Sequence, residues 1–187
     1  MRRRSYFTGF LMGLILISGS FLISCGGGGS SAQTTTQPPP PTTTQGQLPG
    51  FPSGEYQNTQ LLNGIFNLSW SNDSQYVYIG LQAKTTGWVA LSFSQDPHGN
   101  SDTIIGYVQN GNVMLNEYGY IDYNGNHVPD TALGGTDDAI LVSGNQANGI
   151  TTIEFKRKLN TGDKLDTVLT TGNNNVTVAY GPDNSLA

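Results

Sequence analysis

Short segments in which apolar residues occupy alternate positions recur along the chain from residue 65 onward, and this pattern restricts the fold to extended strands. In one of them Val77, Ile79 and Leu81 are each separated by one residue. Successive side chains of a strand point to opposite faces, so such a segment turns one face inward. Eight segments are predicted as strands: 65–70, 75–83, 87–94, 102–109, 112–121, 139–143, 150–157 and 176–180. No convincing helical period accompanies them, so we predict an all-β fold.

The connections between these segments favour antiparallel hairpins. Asn110-Gly111 lies between two predicted strands, and Asn148-Gly149 precedes another. Asn-Gly readily supplies the positive φ angles of a tight hairpin turn. Many short strands with such turns are typical of two antiparallel sheets packed face to face. We therefore predict an antiparallel β-sandwich with an immunoglobulin-like two-sheet architecture over residues 51–187, a length that suits a single core.

The first 24 residues have the pattern of a lipoprotein signal peptide. Three arginines, Arg2 to Arg4, precede an apolar run that ends at Ser24-Cys25. Small residues before a solitary cysteine indicate cleavage and lipidation of Cys25, although an uncleaved membrane anchor is the alternative. Cys25 is the only cysteine, so it forms no internal disulfide. The expected location is the bacterial cell envelope, with a lipid anchor in the membrane. Gly26 favours the outer membrane or cell surface over the inner membrane.

Residues 25–50 contain mostly Gly, Ser, Thr, Gln and Pro, with four consecutive prolines at 38–41 and no charge. Such a composition cannot bury enough apolar surface to offset the entropy of ordering. We interpret this segment as a tether that separates the folded part from the membrane.

The folded part is strongly acidic. All thirteen acidic residues lie in 51–187, where five basic residues give a formal charge of −8. Such a surface repels phosphate backbones, and the sequence has no basic stripe. Nucleic acid is therefore excluded as an expected partner.

The order of motifs in the second half of the chain points to a known family. A tryptophan-led strand at 87–94 precedes Ser101 to Val108, and Thr151 to Asp163 follows later. This order resembles a DOMON domain. The resemblance implies an extracytoplasmic β-sandwich that binds haem or sugars, and hence a ligand-binding module that is not an enzyme. The most specific function that the resemblance implies is binding of haem b for electron transfer with a redox partner.

The resemblance also suggests haem-binding residues. Cytochrome-type members carry an axial methionine at the place of His98, so the resemblance implies that His98 ligates haem b, with Trp88 as a further cofactor-binding residue. Histidine is a good haem ligand. His127 is the other histidine of the chain and the remaining choice for a second ligand. The alternative is that His98 is simply solvated in a polar loop.

A second set of candidate residues carries oxygen ligands. Asp122, Asn124, Asn126 and Asp130 are spaced so that their oxygens could converge on Ca²⁺, although the glycine spacing is not that of an EF-hand. The alternative is a polar hairpin loop in which Asx side chains bond to the backbone. The resemblance to dopamine β-monooxygenase-like members adds Asp102 as a metal ligand.

The aromatic residues support a rival function. Tyr118-Gly119-Tyr120 would place two rings on one strand face, where a sugar could stack, although such rings more often cover a core. The rival is thus a carbohydrate-binding or calcium-stabilised adhesion module with polysaccharide as its partner. Catalytic arrangements are scarce, because the folded part has two histidines, no cysteine and no Gly-x-Ser-x-Gly motif.

Overall fold

The computed structural model describes residues 48–94, 98–122, 124 and 126–185. The described residues form ten strands: β1 Asn58–Leu62, β2 Phe66–Asn72, β3 Tyr76–Ala83, β4 Val89–Ser92, β5 Gly99–Gln109, β6 Asn112–Ile121, β7 His127–Pro129, β8 Ile140–Ala147, β9 Ile150–Lys158 and β10 Thr177–Tyr180. A 3-10 turn, Asp130–Leu133, follows β7. The predicted signal peptide, the lipidation site Cys25 and nearly all of the tether lie outside the described residues.

The strands form two five-stranded antiparallel sheets. The first sheet has the order β1-β2-β3-β9-β8, and the second has the order β10-β4-β5-β6-β7. Each predicted strand has its counterpart, so the all-β sandwich is confirmed. β1 and β7 were not predicted: β1 is largely exposed and β7 has three residues, so neither carries a clear alternation of apolar residues.

The core lies between the sheets and follows the alternation seen in the sequence. Leu81 of β3, Val89 and Leu91 of β4, and Ile153 and Phe155 of β9 are almost fully buried. A second, smaller cluster lies on the other face of the second sheet and contains Ala90, Ile105, Tyr118 and Ile121, with Trp88 and Ala179 packed against it. We call the face that carries it the outer face of the second sheet.

The predicted Asn-Gly turns close two hairpins. Asn110 and Gly111 have φ angles of 53° and 79°, and Asn148 and Gly149 have φ angles of 55° and 73°. These positive angles are the ones that two-residue hairpin turns require. They connect β5 to β6 and β8 to β9, and so fix the register of both hairpins.

Within the described residues, the structure contains no helix that is long and apolar enough to cross a bilayer.

Candidate functional site

A buried arginine joins the two sheets. On β9 the inward positions include Ile153, Phe155 and Arg157, and Arg157 has no exposed surface. Its Nη1 lies 2.6 Å from both carboxylate oxygens of Asp102, which is buried on β5 in the opposite sheet. A buried charge of this kind requires an opposite charge and hydrogen bonds, and Asp102 supplies both.

Three further carboxyl groups lie around this ion pair. Nη1 of Arg157 is 3.8 Å from Oε1 of Glu117 and 3.7 Å from Oδ1 of Asp166, and both of these side chains are almost fully buried. Asp130 is 1% exposed and interacts electrostatically with Asp166 and Asp102. We call Asp102, Glu117, Asp130, Arg157 and Asp166 the acidic centre. It places one guanidinium among four carboxyl groups.

The acidic centre also fastens the segment that connects β9 to β10. Nη2 of Arg157 donates to the carbonyl of Thr167 at 2.8 Å, and the backbone N–H of Thr167 donates to Asp102 at 2.7 Å. The Thr167 hydroxyl donates to the carbonyl of Phe93 at 3.1 Å. The guanidinium lies 4.4 Å from the centre of the Phe93 ring, a cation–π distance. The Arg157 guanidinium thus holds this segment by a hydrogen bond and also packs against the Phe93 ring.

The surplus of carboxyl groups changes their titration. Burial raises the pKa of Glu117 to about 7, and the neighbouring Asp166 carboxylate adds to this increase, although hydrogen bonds from the N–H groups of Asp138 and Ala139 oppose it. Burial and the carboxylate of Asp166 also raise the pKa of Asp130 to about 7. Burial likewise raises the pKa of Asp166. Removal from water disfavours the ionised form of each group.

Four carboxylate oxygens of the acidic centre lack hydrogen-bond partners among the described residues: Oε1 of Glu117, Oδ1 of Asp130 and both oxygens of Asp166. In addition, Asp102, Glu117 and Asp166 each offer an oxygen, and these oxygens lie within 4.8 Å of one another. Buried carboxylate oxygens without donors need either a proton or a cation. This arrangement is therefore chemically suited to a hard cation.

The structure separates the predicted calcium ligands into two places. Oδ1 of Asp122 accepts hydrogen bonds from the backbone N–H groups of Asn124 and Asn126, and the Asn126 amide donates to Oδ2 of Asp122 at 2.6 Å. This is the polar-loop arrangement that the sequence left open. Asp130 lies instead in the acidic centre with Asp102.

The structure brings the two histidines to one end of the second sheet. Gly99 of β5 pairs with Ile121 of β6, and Ile121 pairs with His127 of β7. His98 directly precedes Gly99, and both histidines are half-buried. The ring of His127 packs edge-on against Tyr118, with 5.2 Å between ring centres. The carboxyl-terminal end of β6 therefore lies between the backbones of the two residues.

Trp88 lies at the opposite end of the same face, where it holds the carboxyl-terminal segment. Its indole N–H donates to the carbonyl of Ser185 at 3.1 Å, and its backbone carbonyl accepts from the N–H of Gly181 at 3.0 Å. Of the two rings in the predicted aromatic platform, Tyr118 is buried and Tyr120 is 38% exposed. Only one ring is thus readily accessible for stacking.

Sequence reasoning missed Arg157, Glu117 and Asp166 as site residues. A signal for Arg157 was present, because it continues the inward alternation of Ile153 and Phe155. Charged residues are rarely placed inward without a partner. The partners themselves come from distant parts of the chain and have no shared local motif.

Comparison with known proteins identifies the family. Residues 62–181 match the model of the DOMON domain. The chain is 30% identical to "MOXD1 homolog 2" of Drosophila melanogaster over 54% of its own length and 13% of that protein. It is 33% identical to "DBH-like monooxygenase protein 2" of Mus musculus over 62% of its own length and 19% of that protein. The similarity thus covers less than a fifth of each relative. With most of its folded part matched, this chain belongs to the DOMON domain family.

Proposed function

We propose that this chain is a non-enzymatic ligand-binding module whose ligand is haem b, bound at the histidine end of the second sheet. The observation that carries the proposal is the register Gly99–Ile121–His127. Neighbouring strands are about 4.8 Å apart, so the backbones of β5 and β7 are separated by about 10 Å at this level. Two imidazole side chains thus originate at one end of one sheet.

The surroundings of the histidines are compatible with haem. Imidazole is a common axial ligand of haem iron. The outer face of the second sheet adds the cluster of Ala90, Ile105, Tyr118 and Ile121. Apolar side chains suit a flat, largely apolar macrocycle, and because these four are buried in the structure, haem would have to displace what covers them. These features support His98 and His127 as the ligand pair.

Haem, when bound, would supply one-electron redox chemistry. The residues of the chain would hold it, orient it and limit the access of water. The ring of Tyr118 would restrict the orientation of the His127 imidazole through the edge-on contact. A lipid anchor at Cys25 and the tether would present the module at the cell envelope to an oxidoreductase as redox partner.

The proposal that the module is not an enzyme is supported by the small share of each relative that the similarity spans. The names of both relatives describe monooxygenase-type proteins, but the similarity spans only 13% and 19% of them. Their activity therefore need not reside in the shared part.

Haem reconstitution of the purified protein tests the proposal. We expect a Soret band that is lost or shifted in His98→Ala and in His127→Ala, because each change removes an axial ligand. Lys158→Ala, a change at an exposed residue, should keep the wild-type spectrum. Absence of a Soret band in the wild-type protein would reject haem binding, and a band that neither histidine variant alters would reject His98 and His127 as its ligands.

A second candidate function is stabilisation by a divalent cation, as in a calcium-stabilised adhesion module. Charge balance at the acidic centre favours it, because one guanidinium leaves three of four carboxylates uncompensated. The unpartnered oxygens of Glu117 and Asp130 suit Ca²⁺, which takes six to eight oxygen ligands. When bound, the cation would link β5, β6 and the segment after β9, and so stabilise the contact between the sheets.

Thermal unfolding in calcium and in excess EDTA tests this candidate. A ligand at a hundredfold excess over its Kd stabilises the folded state by about 2.7 kcal/mol, so the Tm should rise in calcium. Glu117→Gln should abolish the increase. Asp122→Asn, which changes the polar loop alone, should keep it. A Tm that is the same in calcium and EDTA would reject the cation. Loss of the calcium-dependent increase in Asp122→Asn but not in Glu117→Gln would place the cation in the polar loop instead.

A further inference from the structure

The two sheets separate at one end and leave a cleft between them. The cleft has a volume of about 340 Å³. This falls within the range of about 300–1,000 Å³ that is typical of small-molecule sites. It lies where β2 ends and β3 begins, opposite β4 and β10. The proposed haem site involves the β5, β6 and β7 side of the second sheet, so the two sites are distinct.

The interior of the cleft is apolar. Leu68, Trp70, Ile79, Leu91, Phe93 and Val176 form much of its lining. Most of these side chains belong to the main core, and Trp70 and Val176 are partly exposed at its edge. A ligand that enters the cleft would therefore contact the end of the core itself, and its apolar part would be removed from water.

The rim of the cleft is polar but uncharged. It carries side chains of Asn and Thr, among them Asn58, Asn72, Thr170 and Asn173. Among the lining residues that the structure describes, none is acidic or basic, although the chain has thirteen acidic residues. A charged ligand group would meet no opposite charge at this rim, and an anion would also be repelled by the formal charge of −8 of the folded part. The lining therefore selects neutral polar groups.

One wall of the cleft is held rigidly. The Asn174 amide accepts from the N–H of Thr170 at 2.9 Å and donates to the carbonyls of Thr170 and Gly172 at 2.9 Å and 3.2 Å. The start of this wall is fixed by a bond of 2.7 Å from the N–H of Leu169 to the carbonyl of Leu159. A preformed wall reduces the ordering cost of binding.

Across the rim, two amides are available to a ligand. Asn58 and Asn173 make no side-chain hydrogen bond to another described residue, whereas Asn174 is fully engaged in its loop. An amide offers both a donor and an acceptor. It can therefore bind a hydroxyl, an ester or another amide.

We propose that the inter-sheet cleft binds a small uncharged amphiphile, with its apolar body against Leu91 and Phe93 and its hydroxyl, ester or amide head at the rim formed by Asn58 and Asn173. The proposal is independent of haem and of the cation, because neither the histidines nor the acidic centre lines the cleft.

A pair of ligands with the same chain and different heads tests the chemistry. 1-Octanol and octanoate are titrated while tryptophan emission is recorded, with Trp88→Phe used so that Trp70 is the single reporter. We expect a saturable change in Trp70 emission with octanol and at least about tenfold weaker binding of octanoate, because its carboxylate would meet no cation at the rim and would be repelled by the acidic folded part. Equal affinity for the two ligands, or no saturable response to octanol, would overturn the proposal.

A substitution that fills the cleft locates the site. Val176→Phe should weaken octanol binding at least about tenfold, because the ring occupies the space of the ligand. Val168→Phe is the matched control, since Val168 is 61% exposed and does not line the cleft. Equal loss in both variants would contradict the assignment. If circular dichroism shows that Val176→Phe does not fold, the comparison of octanol with octanoate on the folded protein decides.

A titration with a sugar distinguishes this proposal from the hypothesis of carbohydrate binding. Cellobiose should leave Trp70 emission unchanged, because the apolar interior offers few partners for sugar hydroxyls. Saturation by cellobiose with no response to octanol would assign the cleft to sugars and reject the amphiphile.

Discussion

At the scale of single residues, Arg157 shows how one side chain can set the electrostatics of a whole core. Its guanidinium contacts Asp102 directly and lies near Glu117 and Asp166. A buried ion pair is a weak source of net stability, but removal of one partner leaves an unpaired charge that is strongly destabilising. The neighbouring carboxyl groups must therefore remain protonated, or meet a cation, for the core to stay balanced.

This balance predicts an unusual dependence of stability on pH. The pKa values of Glu117 and Asp130 are about 7 in the folded protein, above the ordinary values of 4.5 and 3.8. Between the ordinary and the raised pKa values, the folded state binds more protons than the unfolded state. The stabilisation that these protonated carboxyl groups provide is therefore full at low pH and is lost as pH rises through 7. Calorimetry in EDTA should show the Tm falling from about pH 5 to about pH 8.

The matched variants identify the groups responsible. Glu117→Gln should flatten the dependence on pH, because it removes one of the titrating groups. Asp122→Asn should not, since hydrogen bonds from Asn126 lower the pKa of Asp122, and its contribution is lost only as pH falls through that lowered value. A Tm that rises between about pH 5 and about pH 8 would contradict the assignment.

At the scale of elements, β8 is an edge strand with little protection. It ends the first sheet and carries neither charge nor proline. Ile140, Leu141 and Val142 are exposed by 48%, 38% and 59%. A register shift between Leu141 and Ser143 is its one irregularity. Edge strands of this kind can pair with other chains unless a charge or a distortion prevents it.

We expect Val142→Lys to reduce aggregation on heating, because a lysine on an edge strand disfavours pairing with another copy. The free energy of unfolding should change by less than about 0.5 kcal/mol, as for most surface changes. Light scattering during a thermal ramp measures the effect. Val168→Lys adds the same charge away from the edge, and if it suppresses aggregation equally, the edge is not the cause.

At the scale of the whole molecule, the carboxyl-terminal segment closes the sandwich across sequence-distant strands. Gly181 and Ser185 bond to Trp88, and the Asn184 amide donates to the carbonyl of Val108 at 2.7 Å. A Cβ added at Gly87 would lie so close to backbone atoms of Gly181 and Asp183 that one of the two segments would have to move.

Gly87→Ala should therefore destabilise the domain by about 1–3 kcal/mol, the usual cost of overpacking against atoms that cannot turn aside. Urea unfolding measures this change. Gly172→Ala is the control, because the nearest atom to its added Cβ is 3.7 Å away. Equal effects of the two substitutions would show that the loss of glycine, rather than contact with the carboxyl-terminal segment, is responsible.

Local patterns predicted those elements whose residues carry their own signal. The alternation of Val77, Ile79 and Leu81 predicted β3, and the Asn-Gly pairs predicted two hairpins, because side-chain direction and positive φ are properties of a few adjacent residues. β1 carried no such signal, since most of its residues are exposed and its place in the sheet depends on pairing with β2.

By itself, the sequence determined eight of the ten strands in the described residues, the sandwich and the family resemblance, because each depends on short-range alternation or on the order of motifs. Only the tertiary structure decided which side chains meet. Asp102 and Arg157 are 55 positions apart and touch only after the two sheets pack face to face. The same packing separated Asp130 from Asp122, brought His98 and His127 to one end of a sheet and opened the cleft. Each of these arrangements depends on strand register and sheet order, which no local run of residues specifies.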